Sequence, residues 1–337
     1  MGHTVLGSKV AVAVEPDPGF DTTQGYGLAE LLDVGPPPEP DGFDAFWAGL
    51  KTRSDRVFSP APPTVLGSAT ESTGRSGLRL TVLDVAFTSL GGVRIGGWLV
   101  APADGRIDAG MVVSHGYGGR EEADVSLIPP RTAAIFPCSR GLPTRSLQPG
   151  VPSEGSGHVL VGIDDPLTYI HGGCAADIWC AATALAQLVP GADRRLAYWG
   201  GSFGGGIGPM ALQVDHRFTR AVLEVPSFGH HPLRLQMPCN GSGADVRAYA
   251  AEHPEVVRTL SFFDAATCAT RVDMPVVVAP ALADPAVPPP GQFAVANAFA
   301  GETTVFVTSA GHAEYAMQAD EQVGFRAQAA SLLDPDA

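Results

Sequence analysis

The chain has 337 residues, 45% of them hydrophobic and 17% charged, and its net charge is −14. A sizeable core can form. An acidic chain lacks the basic patch that gives nucleic-acid binding most of its affinity, and it gains nothing at an anionic membrane surface, so neither partner is expected.

From the N-terminus, Val10-Ala11-Val12-Ala13-Val14 is stopped by Glu15. That run is too short for a secretion signal, and no later run reaches the ~18 residues of a membrane-spanning helix. The five cysteines (138, 174, 180, 239 and 268) include no C-x-x-C. They indicate neither a disulfide framework nor a zinc site, and a cytoplasmic chain is expected. Residues 1–40 close on Gly35-Pro36-Pro37-Pro38-Glu39-Pro40, a stiff linker, and read as an N-terminal extension to a single domain over 41–337. Asp41 to Lys51 reads as a helix, with Phe43, Phe46, Trp47 and Leu50 on one face. A Pro/Ser/Gly-rich stretch then runs to about Gly77.

Leu80 to Phe87 and Val93 to Val100 bracket Leu90-Gly91-Gly92 as a hairpin. Short apolar runs follow: Met111-Val112-Val113, ending at Ser114-His115-Gly116-Tyr117-Gly118-Gly119, and Ala133 to Pro137, ending at Arg140-Gly141. Cys174 to Leu188, alanine-rich and proline-free, reads as a helix. Leu196 to Trp199 is a strand, and after Gly200-Gly201-Ser202-Phe203-Gly204 a helix runs to about Val214. Ala221 to Val225 is a strand, and 227–271 an excursion. Pro275 to Leu282 (strand), Gln292 to Phe299 (helix), Thr304 to Val307 (strand) and Asp320 to Leu333 (helix) complete the pattern. Strands alternating with helices predict a mostly parallel twisted sheet with helices on both faces, opened by an antiparallel hairpin; with the G-x-S-x-G turn after Trp199 this is the pattern of an α/β-hydrolase fold. Reactive residues of such sheets gather beyond the carboxyl ends of the strands.

Gly200-Gly201-Ser202-Phe203-Gly204 fits G-x-S-x-G between an apolar strand and a helix, the context in which a tight turn presents a serine hydroxyl. Serine needs a base, and the base an orienting carboxylate, in the order Ser, Asp or Glu, His. Asp284 follows one later strand and His312 the next. Asp264 and Asp273 compete for the carboxylate role, and His230-His231 follow an earlier strand. The oxyanion hole needs two backbone N–H groups, assigned to Phe203 and, from the loop after Val113, to Tyr117. No phosphate-cradling motif occurs, and adjacent His230-His231 make a poor metal pair, so neither a cofactor nor a metal is expected.

These residues resemble the acetyl xylan esterase and cephalosporin C deacetylase family. The likeness covers nearly all the chain after residue 40. It includes Phe43-Asp44-Ala45-Phe46-Trp47, Gly92 to Val100, Gly116-Tyr117-Gly118-Gly119, Arg140-Gly141, Gly200 to Gly206, Tyr249, Phe263-Asp264, Asp284 with Pro288-Pro289, and His312. It implies hydrolysis of acetyl esters on small molecules, no metal, and a homo-oligomer larger than a dimer with enclosed active sites. The chain departs from the family at Phe203, where glutamine is common, at Leu142-Pro143, where Gln-Gly is usual, and at Tyr169-Ile170-His171-Gly172. Leu142, Pro143, Ile170 and Phe203 are therefore expected to put apolar surface at the pocket mouth. A preference for apolar acetyl esters over acetylated xylo-oligosaccharides follows. The competing reading is acetate elimination from an acetylated secondary-metabolite intermediate, which would make the enzyme a lyase.

Overall fold

The computed structural model describes residues 3–57, 62–74 and 77–334. Its strands are β1 (His3–Gly7), β2 (Thr64–Thr73), β3 (Arg79–Ser89), β4 (Val93–Pro102), β5 (Ala109–Val113), β6 (Thr132–Pro137), β7 (Leu196–Gly201), β8 (Phe218–Glu224), β9 (Val276–Ala279) and β10 (Thr303–Val307). They join in one sheet in the order β1-β10-β9-β8-β7-β5-β6-β4-β3-β2. Pairing is parallel from β1 to β6 and antiparallel among β6, β4, β3 and β2.

The helices are α1 (Leu28–Leu32), α2 (Phe43–Asp55), α3 (Gly155–His158), α4 (Ile170–Leu188), α5 (Phe203–Leu212), α6 (His231–Arg234), α7 (Ser242–Glu252), α8 (Val256–Phe262), α9 (Ala265–Ala269), α10 (Pro289–Ala298) and α11 (Gln318–Leu333). Among the described residues no helix is long and apolar enough to cross a membrane.

Central strands are covered on both faces, which is why they read as unbroken apolar runs. Their period of two still sorts the side chains. Val112, Ile135 and Tyr198 enter the core beneath α2, α4 and α5, while Met111, Phe136 and Trp199 enter the core beneath α11, with Phe325. α4 is buried nearly all round, and its alanines let it lie close to the sheet. The excursion 227–271 becomes α6 to α9. It is tied beneath α2, where the Trp47 indole donates to the Phe262 carbonyl at 3.0 Å.

Two stretches were illegible as strands. β2 lies in the Pro/Ser/Gly-rich stretch; as an edge strand it is exposed along almost its whole length and shows no apolar alternation. The N-terminal residues are also no mere appendage. β1 pairs with β10, Val14 packs against Ala283 and Ala310, and the Thr22 carbonyl accepts the Asp284 N–H at 3.0 Å. The N-terminal segment thus braces the loop that carries Asp284.

Just after β6, Arg140 forms a forked pair with Asp177 of α4. Nη2 lies 2.7 Å from Oδ1, Nε lies 3.1 Å from Oδ2, and the Arg140 N–H donates to Oδ2 at 2.9 Å. The Asp177 side chain is 1% exposed and that of Arg140 12%. Removing one partner of such a pair strands a buried charge. Asp177→Ala should therefore lower unfolding stability by roughly 3–5 kcal/mol in a denaturant titration. A loss under about 1 kcal/mol, the value of an exposed pair, would show that the pair is not buried in solution.

Candidate active site

β7 ends in a turn with no room for a side chain two residues to either side of Ser202. A Cβ on Gly200 would lie 2.5 Å from the Gly204 carbonyl oxygen, and one on Gly204 would lie 2.7 Å from the Ser114 hydroxyl. Ser202 itself takes φ 52° and ψ −113°, a region that L-residues rarely occupy. The Ser202 N–H donates to the Glu224 carbonyl at 2.9 Å, and the Gly204 N–H to the His115 carbonyl at 3.0 Å.

Ser202, Asp284 and His312 come together. His312 Nε2 is 2.8 Å from Ser202 Oγ, and His312 Nδ1 is 2.7 Å from Asp284 Oδ2. The Asp284 side chain is fully buried and fully engaged. Its Oδ1 accepts the N–H groups of Ala286 (2.8 Å) and Val287 (2.9 Å), and Oδ2 also accepts the Gln292 amide at 2.8 Å. Burial alone would push the His312 pKa down. The charge and hydrogen bond of Asp284 outweigh it, with a further contribution from Glu224, and the pKa is raised above its ordinary 6.5. Nδ1 therefore carries a proton for Asp284, leaving Nε2 to accept from the serine.

The two N–H groups assigned to an oxyanion hole, on Phe203 and Tyr117, have no hydrogen-bond partner among the described residues. Gly116 lies against the serine, where an added Cβ would be 3.7 Å from Ser202 Cβ. Ser202 and His312 open into a cleft of about 710 Å³, walled by Tyr117, Ser153, Glu154, Asn240, Ser242 and Val287, among others. A second cavity, of about 760 Å³, lies on the other side of His312, with Glu15, Glu224 and Glu314 in its walls.

The residues expected at the pocket mouth are elsewhere. Leu142 is fully buried in the core, and Ile170 borders a separate cavity of about 360 Å³ beside Arg140. Pro143 is half-buried, and neither it nor Leu142 nor Ile170 lines the cleft. The Phe203 ring is fully buried beside Tyr117 (centroids 4.5 Å apart), His158, His171 and Phe228. The cause is direction: α5 turns the ring inward, and only the Phe203 backbone faces the serine.

The rival carboxylates are accounted for. Asp264 is buried, caps α9 and accepts the N–H groups of His230, His231, Ala266 and Thr267. Asp273 is exposed. His231 is buried, with its Nε2 on the Phe263 carbonyl at 3.2 Å. Glu224 also acts on His312 through its charge, a role that no motif in the sequence marks. Its one signal was position, as the last residue of the strand adjoining β7.

The family model for acetyl xylan esterase matches residues 33–329. Among solved structures, the acetyl xylan esterase from Paenibacillus sp. R4 superposes with TM-score 0.74 at 24% identity, covering 90% of this chain and 99% of that one. Acetyl xylan esterase 1 from Thermoanaerobacterium sp. JW/SL YS485 superposes with TM-score 0.74 at 19% identity, covering 92% and 99%. A cold-adapted esterase from an Arctic intertidal metagenomic library gives TM-score 0.54 at 16% identity, over 80% and 100%. The structural likenesses bear on the fold, and the family match extends from α2 through most of α11. The chain therefore belongs to the acetyl xylan esterase family and is a carboxylic ester hydrolase of the α/β-hydrolase fold.

Proposed function

We propose that this enzyme removes acetyl groups from small O-acetylated molecules through a covalent acyl-serine. The observation that carries the reading is the unbroken hydrogen-bond series Ser202–His312–Asp284, with two unengaged N–H groups beside the serine. Ser202 Oγ attacks the acetyl carbonyl carbon while His312 Nε2 takes its proton. The carbonyl oxygen becomes an oxyanion, and the Phe203 and Tyr117 N–H groups stabilise it. Asp284 stabilises the imidazolium that forms. His312 then protonates the departing alkoxide, and the acetyl group stays on Ser202. Water, deprotonated by His312, attacks the acyl-enzyme, and acetate leaves as Ser202 regains its proton.

The ground for an apolar substrate has gone, because none of Leu142, Pro143, Ile170 and the Phe203 ring lines the cleft. The cleft instead has hydroxyl, carboxylate and amide groups at Ser153, Glu154, Ser156, Asn240 and Ser242. Such groups suit an acetylated alcohol that keeps other free hydroxyls, since each hydroxyl buried without a partner costs roughly 1–3 kcal/mol. No feature of the cleft favours elimination. Labelled water separates the routes: acyl-enzyme hydrolysis puts a solvent oxygen into the released acetate, whereas simple elimination leaves its oxygens unexchanged.

Ser202→Ala should lower kcat by about 10⁴–10⁶-fold with the thermal unfolding profile intact, because the members of such a relay act as a unit. Residual activity within tenfold of the parent, measured by acetate release, would remove Ser202 from the mechanism.

The pH profile gives a second check. His312 must be neutral to accept the serine proton, and its pKa is raised. The acid limb of kcat/KM should therefore have its midpoint above the ordinary histidine value, with activity lost as pH falls through it. Asp284→Asn removes the charge that raises this pKa. The midpoint should move down and kcat fall by about 10⁴-fold, as in other relays with this substitution. An acid limb that stays in place would mean that Asp284 does not act on the titrating group.

A further inference from the structure

Arg234, the last residue of α6, is 3% exposed. Its Nε and Nη1 have no hydrogen-bond partner. Nη2 lies beside Gly243, where a Cβ would come 3.0 Å from it. No carboxylate forms an ion pair with Arg234 among the described residues. The contrast with Arg140, matched by Asp177, is complete.

The surroundings close on themselves. The Arg234 guanidinium lies over the Phe228 ring at 5.3 Å, and Phe228 packs against His171 with centroids 4.4 Å apart. His171 packs against Tyr169 at 4.4 Å, and Tyr169 against Phe263 at 5.0 Å. The Phe263 carbonyl takes the His231 Nε2–H, and His231 stands three positions before Arg234, on the same face of α6. Within this circuit the Tyr169 hydroxyl and the His171 Nδ1 are also buried without partners. Tyr117 Oη and His171 Nε2 share a hydrogen bond of 3.1 Å; the phenol has no other acceptor among the described residues, so it donates here, which leaves the His171 proton on Nδ1. Burial keeps the surrounding groups uncharged: it holds the His171 and His231 imidazoles well below their ordinary pKa and pushes the Tyr169 phenol up. The circuit therefore holds one permanent positive charge and several unpartnered donors, against a single unpartnered neutral acceptor, His231 Nδ1. A guanidinium buried without a counter-charge is strongly unfavourable, and so are donors left unmade.

We propose that the space between Arg234 and the side chains of Tyr169, His171, Phe228 and His231 forms a chamber that binds one small monovalent anion. Arg234 Nε and Nη1, the Tyr169 hydroxyl and the His171 Nδ1–H are its donors. The aromatic walls exclude large or multiply charged species. A halide and a free carboxylate such as acetate share the chemistry required. The site lies behind the cleft wall, since Gly243 touches Arg234 while Asn240, Gly241 and Ser242 face Ser202. Through Tyr117, which hydrogen-bonds His171, the chamber adjoins the loop beside the serine.

The test is the melting temperature of the whole protein at constant ionic strength, with sodium gluconate replaced stepwise by chloride, bromide or acetate. A saturable rise of several degrees is expected with at least one of the small anions, and the one that acts names the source. Arg234→Met keeps the stem on Phe228 and removes the charge, and the rise should vanish in it. A crystal of the unaltered protein soaked in bromide gives a readout that does not depend on the variant's folding. Anomalous density within hydrogen-bonding reach of Arg234 Nε or Nη1 supports the site, and so does loss of that density in acetate competition. Only ordered water in the chamber, with melting temperatures indifferent to the anion, would overturn the proposal.

Discussion

The backbone of Ser202, held at φ 52° and ψ −113°, is the constraint on which the rest of the site depends. Strain of this kind costs on the order of 1–3 kcal/mol and persists only where its surroundings over-determine it. Here they do. The Ser202 N–H is fixed to β8 through the Glu224 carbonyl, and its own carbonyl accepts from Gly206 (3.0 Å) and Ser227 (3.1 Å). The Tyr198 hydroxyl, from inside β7, donates to the Gly204 carbonyl at 2.6 Å. The Gly204 N–H reaches across to the His115 carbonyl. That last bond matters most, because it fixes the Gly116–Tyr117 loop to the same turn. The serine and both candidate oxyanion donors are thus parts of one hydrogen-bonded unit.

Sheet order does the remainder. β7, β8, β9 and β10 are successive neighbours, all parallel. Their carboxyl ends release Ser202, Glu224, Asp284 and His312 along one edge, at the ~4.8 Å spacing of adjacent strands. His312 has φ 48°, and a Cβ on the preceding Gly311 would lie 2.5 Å from Asp284 Oδ2. The histidine loop is therefore pressed against the carboxylate that orients it. Gln292 of α10 and the N-terminal segment at Thr22 hold that carboxylate's own loop in place.

The parts of this arrangement that were legible in the sequence are those governed by period and order. Buried strands announced themselves as apolar runs, the elbow by its glycines, and the acid and base by following successive strands. What the sequence left hidden is governed by direction and by partners far along the chain. Nothing in Phe203 says that its ring turns inward, toward Tyr117 and Phe228, while its N–H faces the serine. Leu142 and Ile170 likewise read as wall residues only if their side chains are assumed to point at the cleft. Strands β1 and β2 lie at the two edges of the sheet, where one-sided pairing and exposure erase the pattern on which strand reading depends.

Two arginines of this chain meet burial in opposite ways, and the difference bears on how a family fold acquires a private feature. Arg140 lies just after β6 and Asp177 on α4, elements packed against each other, so the charge is neutralised by the fold itself. Arg234 lies in the excursion between β8 and β9, the segment with least regular sheet support, and no acidic residue of the described chain pairs with it. The surplus acidic groups do not relieve it. Of those near the site, Glu15, Glu224 and Glu314 are spent on the far side of His312, and Asp284 is saturated by its own donors. Net charge therefore says little about local balance. A chain of −14 still buries a cation, Arg234, that no acidic group among the described residues pairs with, and it does so directly behind the wall of its active-site cleft.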